Sequence, residues 1–146
     1  MINFIAEKTK FNIKNKRLLK IWISNTIAKK NRKIAEVTIV FCDDNYLLSL
    51  NKQYLNHDTY TDIITFDYYK GDKEKPVCGD VFISIERVKE NASKYSKTFE
   101  NELHRVIIHG ILHLLGYTDK SIASKKEMTK QENACLRILE KNFKPL

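Results

Sequence analysis

The sequence predicts an α/β (α+β) fold, a small mixed β-sheet covered by helices, and three observations lead to this prediction. Short β-branched and aromatic runs alternate with longer segments of helical periodicity. The chain begins with a strand pattern and ends with two helix patterns. With 146 residues, it is long enough to bury a hydrophobic core without disulfides. We therefore expect residues 1–146 to form one domain in which helices pack on a sheet.

In the first half of the chain, strands and helices are predicted in alternation. Residues 2–6 favour a short strand. A helix follows at 15–31, where apolar residues recur at the spacing of one helical face and lysines occupy the other. Residues 35–42 are β-branched and aromatic and predict a second strand. An aspartate directly after it is positioned to cap a helix that extends to about residue 54.

The second half of the chain is predicted to hold two strands and three helices. The strands, at 61–67 and 79–85, are separated by a turn that contains both glycine and proline. The helices are predicted at 86–95, 100–115 and 121–143. The middle helix is the most apolar, which favours a central position in the fold, and Gly116 is expected to end it.

Positive charge is concentrated near the N-terminus. The formal net charge is +8, yet residues 1–33 contain ten lysines and arginines against one acid, while residues 34–146 contain 16 against 17 acids. Such a field attracts a polyanion such as nucleic acid, although solubility of a lysine-rich surface explains the charge equally well. The candidate nucleic-acid contacts in this region are Lys14, Arg17, Lys29 and Lys30.

Composition also excludes several classes of protein. Lysine or asparagine interrupts every apolar run long before the length of a transmembrane helix, so no membrane association is expected. At the N-terminus apolar residues precede the lysines, which is the reverse of a secretory signal. The three cysteines are far apart and form no paired motif, which favours free thiols in a reducing cytoplasm.

The most informative segment, residues 109–119, reads HGILHLLGYTD. At 100° per residue, His109 and His113 lie about 40° apart on one helical face, a spacing that suits two imidazoles to bind one ion. Gly116 can adopt the left-handed conformation that ends a helix, and Asp119 follows three residues later as a candidate third ligand. The alternative is a buried helix with two core histidines and a glycine stop.

The frame H-x-x-x-H-x-x-G-x-x-D closely parallels the zinc-binding motif of the metzincin proteases. Gly110 stands where those proteases carry their general-base glutamate, which argues against a protease. Asp119 stands where they carry a third histidine, and zinc accepts a carboxylate oxygen there. A metal-dependent hydrolase of some other, non-nucleic substrate is suggested only by this frame.

Three segments together resemble the YbeY-type rRNA maturation endoribonucleases. The segment at 109–117 resembles the family signature H-G-x-L-H-L-x-G-Y. The segment at 50–66 reads LNKQYLNHDTYTDIITF and resembles the family's L-N-x-x-[YF]-R-x-x-D-x-P-T-D-V-L-S-F. The segment at 78–84, CGDVFIS, resembles L-G-D-[IV]-x-I-S. The resemblance covers roughly residues 35–140 in the family's order and spacing.

The resemblance implies a zinc-dependent, single-strand-specific endoribonuclease of the cytoplasm. The implied role is maturation of the 16S rRNA 3′ end and ribosome quality control, with rRNA, the small ribosomal subunit and ribosomal proteins as partners. Carried over residue by residue, His109 and His113 are metal ligands, and the third ligand falls on Asp119. One zinc ion per chain is expected at these three residues, which are also the expected catalytic residues.

One departure from the family pattern concerns RNA binding. The family's arginine, which is thought to meet the RNA phosphate, falls on Leu55. A leucine cannot stabilise phosphoryl charge as a guanidinium does, so another cation such as Arg105, Lys52 or a lysine of the basic N-terminal region is expected to replace it. The alternative is a non-catalytic ribosome-assembly factor that binds rRNA and ribosomal protein and has a structural metal site.

Overall fold

The structure is a computed structural model and describes residues 1–142. In chain order its elements are β1 (Ile2–Glu7), α1 (Lys16–Lys29), β2 (Ile34–Cys42), α2 (Asp44–Leu55), β3 (Ile63–Asp67), β4 (Val77–Ser84), α3 (Ile85–Lys94), α4 (Phe99–Leu114) and α5 (Ile122–Asn142). Each predicted element is present, with ends that differ from the prediction by one or two residues. The predicted end of the last helix at Phe143 lies outside the described residues.

The strands form one mixed sheet in the order β1-β2-β4-β3. Strands β1, β2 and β4 run parallel, whereas β3 is antiparallel to β4. The predicted mixed sheet covered by helices is therefore confirmed. Strand β4 is central because it pairs with β2 on one side and with β3 on the other, which places β3 at an edge of the sheet.

The two faces of the sheet bury different sets of apolar side chains. In β4, Val81 and Ile83 point into the larger core, which also contains the buried residues of α1 and α4. Phe82 packs on the opposite face with a smaller cluster around Leu47 of α2. This alternation is the ordinary period of a strand, and it places α4 and α2 on opposite faces of the sheet.

Helix α4 lies very close to β4. Gly110 is the contact point, because a β carbon added there would lie 2.6 Å from Cγ1 of Val81. At the N-terminus of the helix, the hydroxyl of Thr98 accepts a hydrogen bond from the Asn101 amide at 3.0 Å. The sheet and this cap together determine which face of α4 is turned away from the core.

Although α4 is strongly apolar, no helix within residues 1–142 is long and apolar enough to cross a membrane.

Candidate metal centre

Helix α4 presents His109 and His113 side by side at the mouth of a cavity. Their Nε2 atoms are 2.9 Å apart and both side chains are partly buried. Gly110 and Ile111, between them, are buried on the side of the helix that meets the sheet and core. The predicted arrangement of the two histidines on one helical face is therefore present.

The chain turns back immediately after α4 and brings an acid to the histidines. Gly116 has a φ of +102°, and its amide donates to the His113 carbonyl at 3.0 Å. The Tyr117 amide donates to the Leu112 carbonyl at 3.0 Å, which completes a Schellman turn. As a result, Oδ2 of Asp119 lies 3.3 Å from Nε2 of His109 and 3.5 Å from Nε2 of His113.

The other ring nitrogen of each histidine is held by the protein. Nδ1 of His113 donates to the Tyr117 carbonyl at 3.0 Å, and Nδ1 of His109 donates to Oε2 of Glu132 at 2.5 Å. A proton on Nδ1 leaves the lone pair of Nε2 free to bind a cation.

Two imidazole nitrogens and one carboxylate oxygen now lie within 4.8 Å of one another. They form a donor set that suits zinc and leaves a fourth position for another group. The three residues therefore could hold a metal ion, and their role as ligands remains a prediction.

The pKa values of the two histidines are shifted in opposite directions. Burial opposes protonation of His109, but the hydrogen bond and the negative charge of Glu132 outweigh it, so its pKa is raised. Burial and the neighbouring His109 lower the pKa of His113, although Asp119 opposes this change. His113 is therefore readily available as a neutral ligand. The raised pKa of His109 favours its doubly protonated form, in which a cation must displace the proton on Nε2.

The histidines and Asp119 line a cavity of about 700 Å³. Its wall includes four further carboxylates, those of Asp62, Asp67, Glu102 and Glu132. Burial raises the pKa values of Asp62 and Glu102. Because Gly110 supplies no general base, the sequence leaves Asp62 and Asp80 as weak candidates for that role, and Asp62 lies in the cavity. The other, Asp80, is not among the lining residues and accepts a hydrogen bond from the Tyr68 hydroxyl.

Two of the six predicted RNA-binding cations form ion pairs with carboxylates of the protein. Arg105 lines the main cavity, but its guanidinium donates to Glu132 at 2.9 Å and to Asn133 at 2.8 Å. Lys52 forms an exposed ion pair with Asp58 at 3.2 Å. Arg105 therefore supports Glu132 in this structure, and RNA binding by either residue remains a prediction.

The other four predicted cations, which belong to the basic N-terminal region, do not converge on the main cavity. Lys14 lines a separate cleft, Arg17 is exposed in the first turn of α1, and Lys29 is exposed at the end of that helix. Lys30 follows directly and reaches Gln131 and Tyr117. Their RNA contacts also remain predictions.

Glu132 is the residue of this site that the sequence reasoning missed. It is buried, with a relative exposure of 7%, and joins His109 on one side to Arg105 on the other. The buried positions of α5 are Met128, Glu132, Cys135, Leu136 and Leu139. A carboxylate within an apolar helical stripe is rarely buried unless it is paired, and that pattern was the available signal.

We expect Glu132→Gln to weaken zinc binding about 10- to 100-fold, the range typical when a partner that orients a ligand is changed. Glutamine keeps the shape but lacks the charge that holds His109 and Arg105. The measurement is competition for zinc with a chelating dye. Glu140→Gln, an exposed change on the same helix, is the control. Equal zinc affinity in all three proteins would show that Glu132 does not position His109.

Comparison with known proteins shows the family of this chain. The family described as Endoribonuclease YbeY matches residues 2–140. A relative named Endoribonuclease YbeY from Flavobacterium psychrophilum is 48% identical, over 94% of this chain and 96% of the relative. One of the same name from Karelsulcia muelleri is 46% identical, over 98% and 99%. A solution structure of a Thermotoga maritima protein superposes with a TM-score of 0.67 at 28% identity, covering 98% of this chain and 91% of that one. The chain belongs to the YbeY endoribonuclease family.

Proposed function

We propose that this protein is a zinc-dependent, single-strand-specific endoribonuclease that matures the 3′ end of 16S rRNA and takes part in ribosome quality control. Family membership makes it a nuclease that acts on RNA, with a role in rRNA processing. The observation that carries the finer proposal is the convergence of His109, His113 and Asp119 in a cavity of about 700 Å³. The proposed partners are the small ribosomal subunit and its proteins, in the cytoplasm, with the whole chain 1–146 acting as one domain.

In this proposal one zinc ion is held by Nε2 of His109, Nε2 of His113 and a carboxylate oxygen of Asp119. A bound zinc ion supplies Lewis acidity toward a phosphodiester and toward water. Glu132 orients His109, and the Tyr117 carbonyl orients His113. These hydrogen bonds hold the ligand atoms in place before substrate binds.

Asp62 is the group in the cavity best suited to accept a proton. It lines the same wall as His109, and Asn91 donates a hydrogen bond to its Oδ2 at 3.3 Å. Burial raises its pKa, which brings a carboxylate closer to the range in which a general base works efficiently. Gly110 supplies no side chain for this task, so in our proposal a carboxylate oxygen of Asp62 takes the proton of the attacking water or ribose 2′-hydroxyl. The attacking oxygen bonds to phosphorus, the bond from phosphorus to the leaving ribose oxygen breaks, and the leaving oxygen takes a proton from solvent.

Leu55, where the family carries an arginine, also lines the cavity and is 44% exposed. We expect Leu55→Arg to raise kcat/KM for RNA at least about tenfold, because a guanidinium there stabilises charge on the phosphoryl group. Steady-state cleavage of a short single-stranded RNA measures the change. Leu55→Gln, which is polar but uncharged, is the control, and an equal gain in both variants would rule out a charge effect.

Leu55 also favours a second candidate function, that of a non-catalytic assembly factor with a structural metal site. In the wall of the cavity Leu55 stands where the family carries its arginine, and the arginine that is present, Arg105, is paired with Glu132. Such a protein would bind rRNA and ribosomal protein without cutting. The two candidates differ in one measurable property, cleavage by the metal-loaded protein.

The test compares three preparations: zinc-loaded protein, chelated protein and chelated protein with zinc restored. Each is incubated with single-stranded RNA and with the same sequence as a duplex. We expect cleavage of the single strand only, lost on chelation and recovered with zinc. Equal cutting by all preparations would identify a contaminating nuclease and overturn the proposal. RNA binding without cutting in every preparation would favour the assembly factor.

A further inference from the structure

A second cavity of about 290 Å³ lies beside the turn that carries Asp119. Its lining residues are Lys30, Arg32, Lys73, Leu115, Gly116 and Tyr117. Three of these six carry a positive charge, and none carries a carboxylate. Three cations around a small cavity repel one another unless an anion lies among them.

Arg32 shows that part of this cavity is already organised. Its Nη2 donates to the backbone carbonyls of Asp72 at 3.4 Å and Lys75 at 3.1 Å, which holds the guanidinium against the β3–β4 turn. Its Nε is buried and has no hydrogen-bond partner among residues 1–142. Buried donors are nearly always satisfied in proteins, so this Nε calls for an acceptor, either an ordered water or an anion.

The two lysines reach the cavity from different elements. Lys30 follows α1, with its ammonium group 5.2 Å from the centre of the Tyr117 ring and 3.3 Å from Oε1 of Gln131. Lys73 comes from the β3–β4 turn, and its Cε lies 4.0 Å from where a β carbon on Gly116 would be. Gly116 lines the cavity with these two lysines and contributes no side chain to it.

Neutralisation of the C-terminal end of α4 is the simpler explanation for these charges. However, the carbonyls of Leu112 and His113 already accept hydrogen bonds from the Tyr117 and Gly116 amides. The Schellman turn thus satisfies the helix end without a cation. The unmet Nε of Arg32 also has no role in neutralising a helix.

We infer that this cavity binds a backbone phosphate of the RNA strand whose neighbouring nucleotides occupy the metal centre. Tyr117 connects the two sites, since its carbonyl holds His113 while its ring faces Lys30. Asp119 is three positions after Gly116, a span of at most about 11 Å. Phosphates of one strand are about 3.4 Å apart along the axis of a duplex and farther apart in an extended single strand, so a single strand reaches both sites within about three nucleotides. This inference rests on the proposed function, because it takes RNA as the substrate.

The test uses the zinc-loaded full chain and the double variant Lys30→Gln/Lys73→Gln. The probe is a fluorescent single-stranded RNA, and its Kd is measured by anisotropy over a range of salt concentrations. Each lost phosphate contact lowers the slope of log Kd against log salt by about 0.7 for a single strand. We expect a slope about 0.7 lower, the value for one lost phosphate contact, and a Kd about tenfold higher at low salt.

The matched control is Lys126→Gln/Lys130→Gln, which removes the same charge from the exposed face of α5. At 100° per residue both lysines lie about 160° from the buried Met128. We expect the control to keep the parent slope. An equal decrease in both double variants would mean that only the general field of the protein matters, and would overturn the inference. Thermal melting and zinc content verify that each variant is folded. If the double variant is unfolded, Lys73→Gln alone should lower the slope by about 0.7.

Two other anions serve as competing probes. Inorganic phosphate is the first probe. If it binds the parent, and the double variant keeps the salt slope of the parent for RNA, the cavity is a site for free phosphate and the inference is overturned. A polyglutamate peptide is the second probe. If this peptide binds the parent but not the double variant, while RNA binds both equally, the partner is an acidic protein and the inference is overturned.

Cleavage separates this inference from the proposed function. If the parent does not cut RNA, but the double variant has a lower salt slope than the parent, the result supports the phosphate site and rejects only the nuclease. If the parent cuts RNA and the double variant has the same salt slope as the parent, the result rejects only the phosphate site.

Discussion

Replacing His113 by alanine is expected to lower the rate of RNA cleavage about a thousandfold and to remove the bound zinc. The Nε2 atom of His113 lies 2.9 Å from Nε2 of His109 and 3.5 Å from Oδ2 of Asp119, so its loss leaves only two of the three proposed ligand atoms. A metal ion contributes several kcal/mol of transition-state stabilisation. At 1.36 kcal/mol per tenfold change in rate, about 4 kcal/mol corresponds to three orders of magnitude.

The readouts for His113→Ala are zinc content by mass spectrometry, cleavage rate and RNA affinity. His57→Ala is the control, because His57 is exposed in the loop after α2 and is not among the residues lining the main cavity. We expect the control to keep its zinc and the His113 variant to keep its affinity for RNA. A His113→Ala protein that holds one zinc ion per chain and cuts at the parent rate would remove His113 from the metal site.

The part of this site that could be predicted from the sequence is the part that depends on local geometry. The spacing of His109 and His113 determines their relative position on any helix. Gly116 predicts where that helix ends, and a short turn limits how far Asp119 can lie from it. These three relations involve only residues 109–119, so no knowledge of the tertiary structure was needed.

Glu132 could not be paired with His109 on the same grounds. It belongs to α5, and its contact with α4 depends on how the two helices pack. The apolar stripe of α5 indicates that Glu132 is buried, but it does not say which partner receives the carboxylate. Arg105 shows the same limit, because its charge can be read from the sequence, whereas its pairing with Glu132 cannot.

The order of the strands shows the same limit for the fold. Strands β2 and β4 are adjacent and parallel, although α2 and β3 lie between them in the chain. Local patterns identify each strand but do not specify a pairing across so many residues. The basic N-terminal region is a further example, because Lys14 and Lys30 line different cavities once α1 has packed.

Gly110 connects the fold to the question of function. Sequence reasoning used it to exclude a protease, since it lacks the glutamate that acts as general base. The structure adds a steric reason, because a β carbon at this position would lie 2.6 Å from Cγ1 of Val81 and 2.9 Å from Cδ1 of Ile63. The position thus requires glycine for the packing of α4 on the sheet, whatever chemistry the site performs.

We expect Gly110→Glu to unfold the chain rather than to produce a peptidase. The substitution forces an unpaired carboxylate into a buried contact at a cost of several kcal/mol, against a total stability of about 5–15 kcal/mol for a typical domain. Gly110→Ala adds a β carbon without a carboxylate, and therefore measures the steric cost alone. Overpacking costs about 1–3 kcal/mol, and the better helix propensity of alanine returns up to about 1 kcal/mol. Urea denaturation should therefore show Gly110→Ala to be about 1–2 kcal/mol less stable than the parent.

Ala123→Glu is the matched control for the added charge, because Ala123 is exposed in the first turn of α5. A glutamate there faces the positive end of a helix, so the free energy of unfolding should stay within about 0.5 kcal/mol of the parent value. If Gly110→Glu instead unfolds cooperatively near the parent midpoint, then α4 can move away from β4, and glycine is not required for packing. Peptide hydrolysis by such a folded variant would show that only the missing glutamate separates this metal centre from a protease.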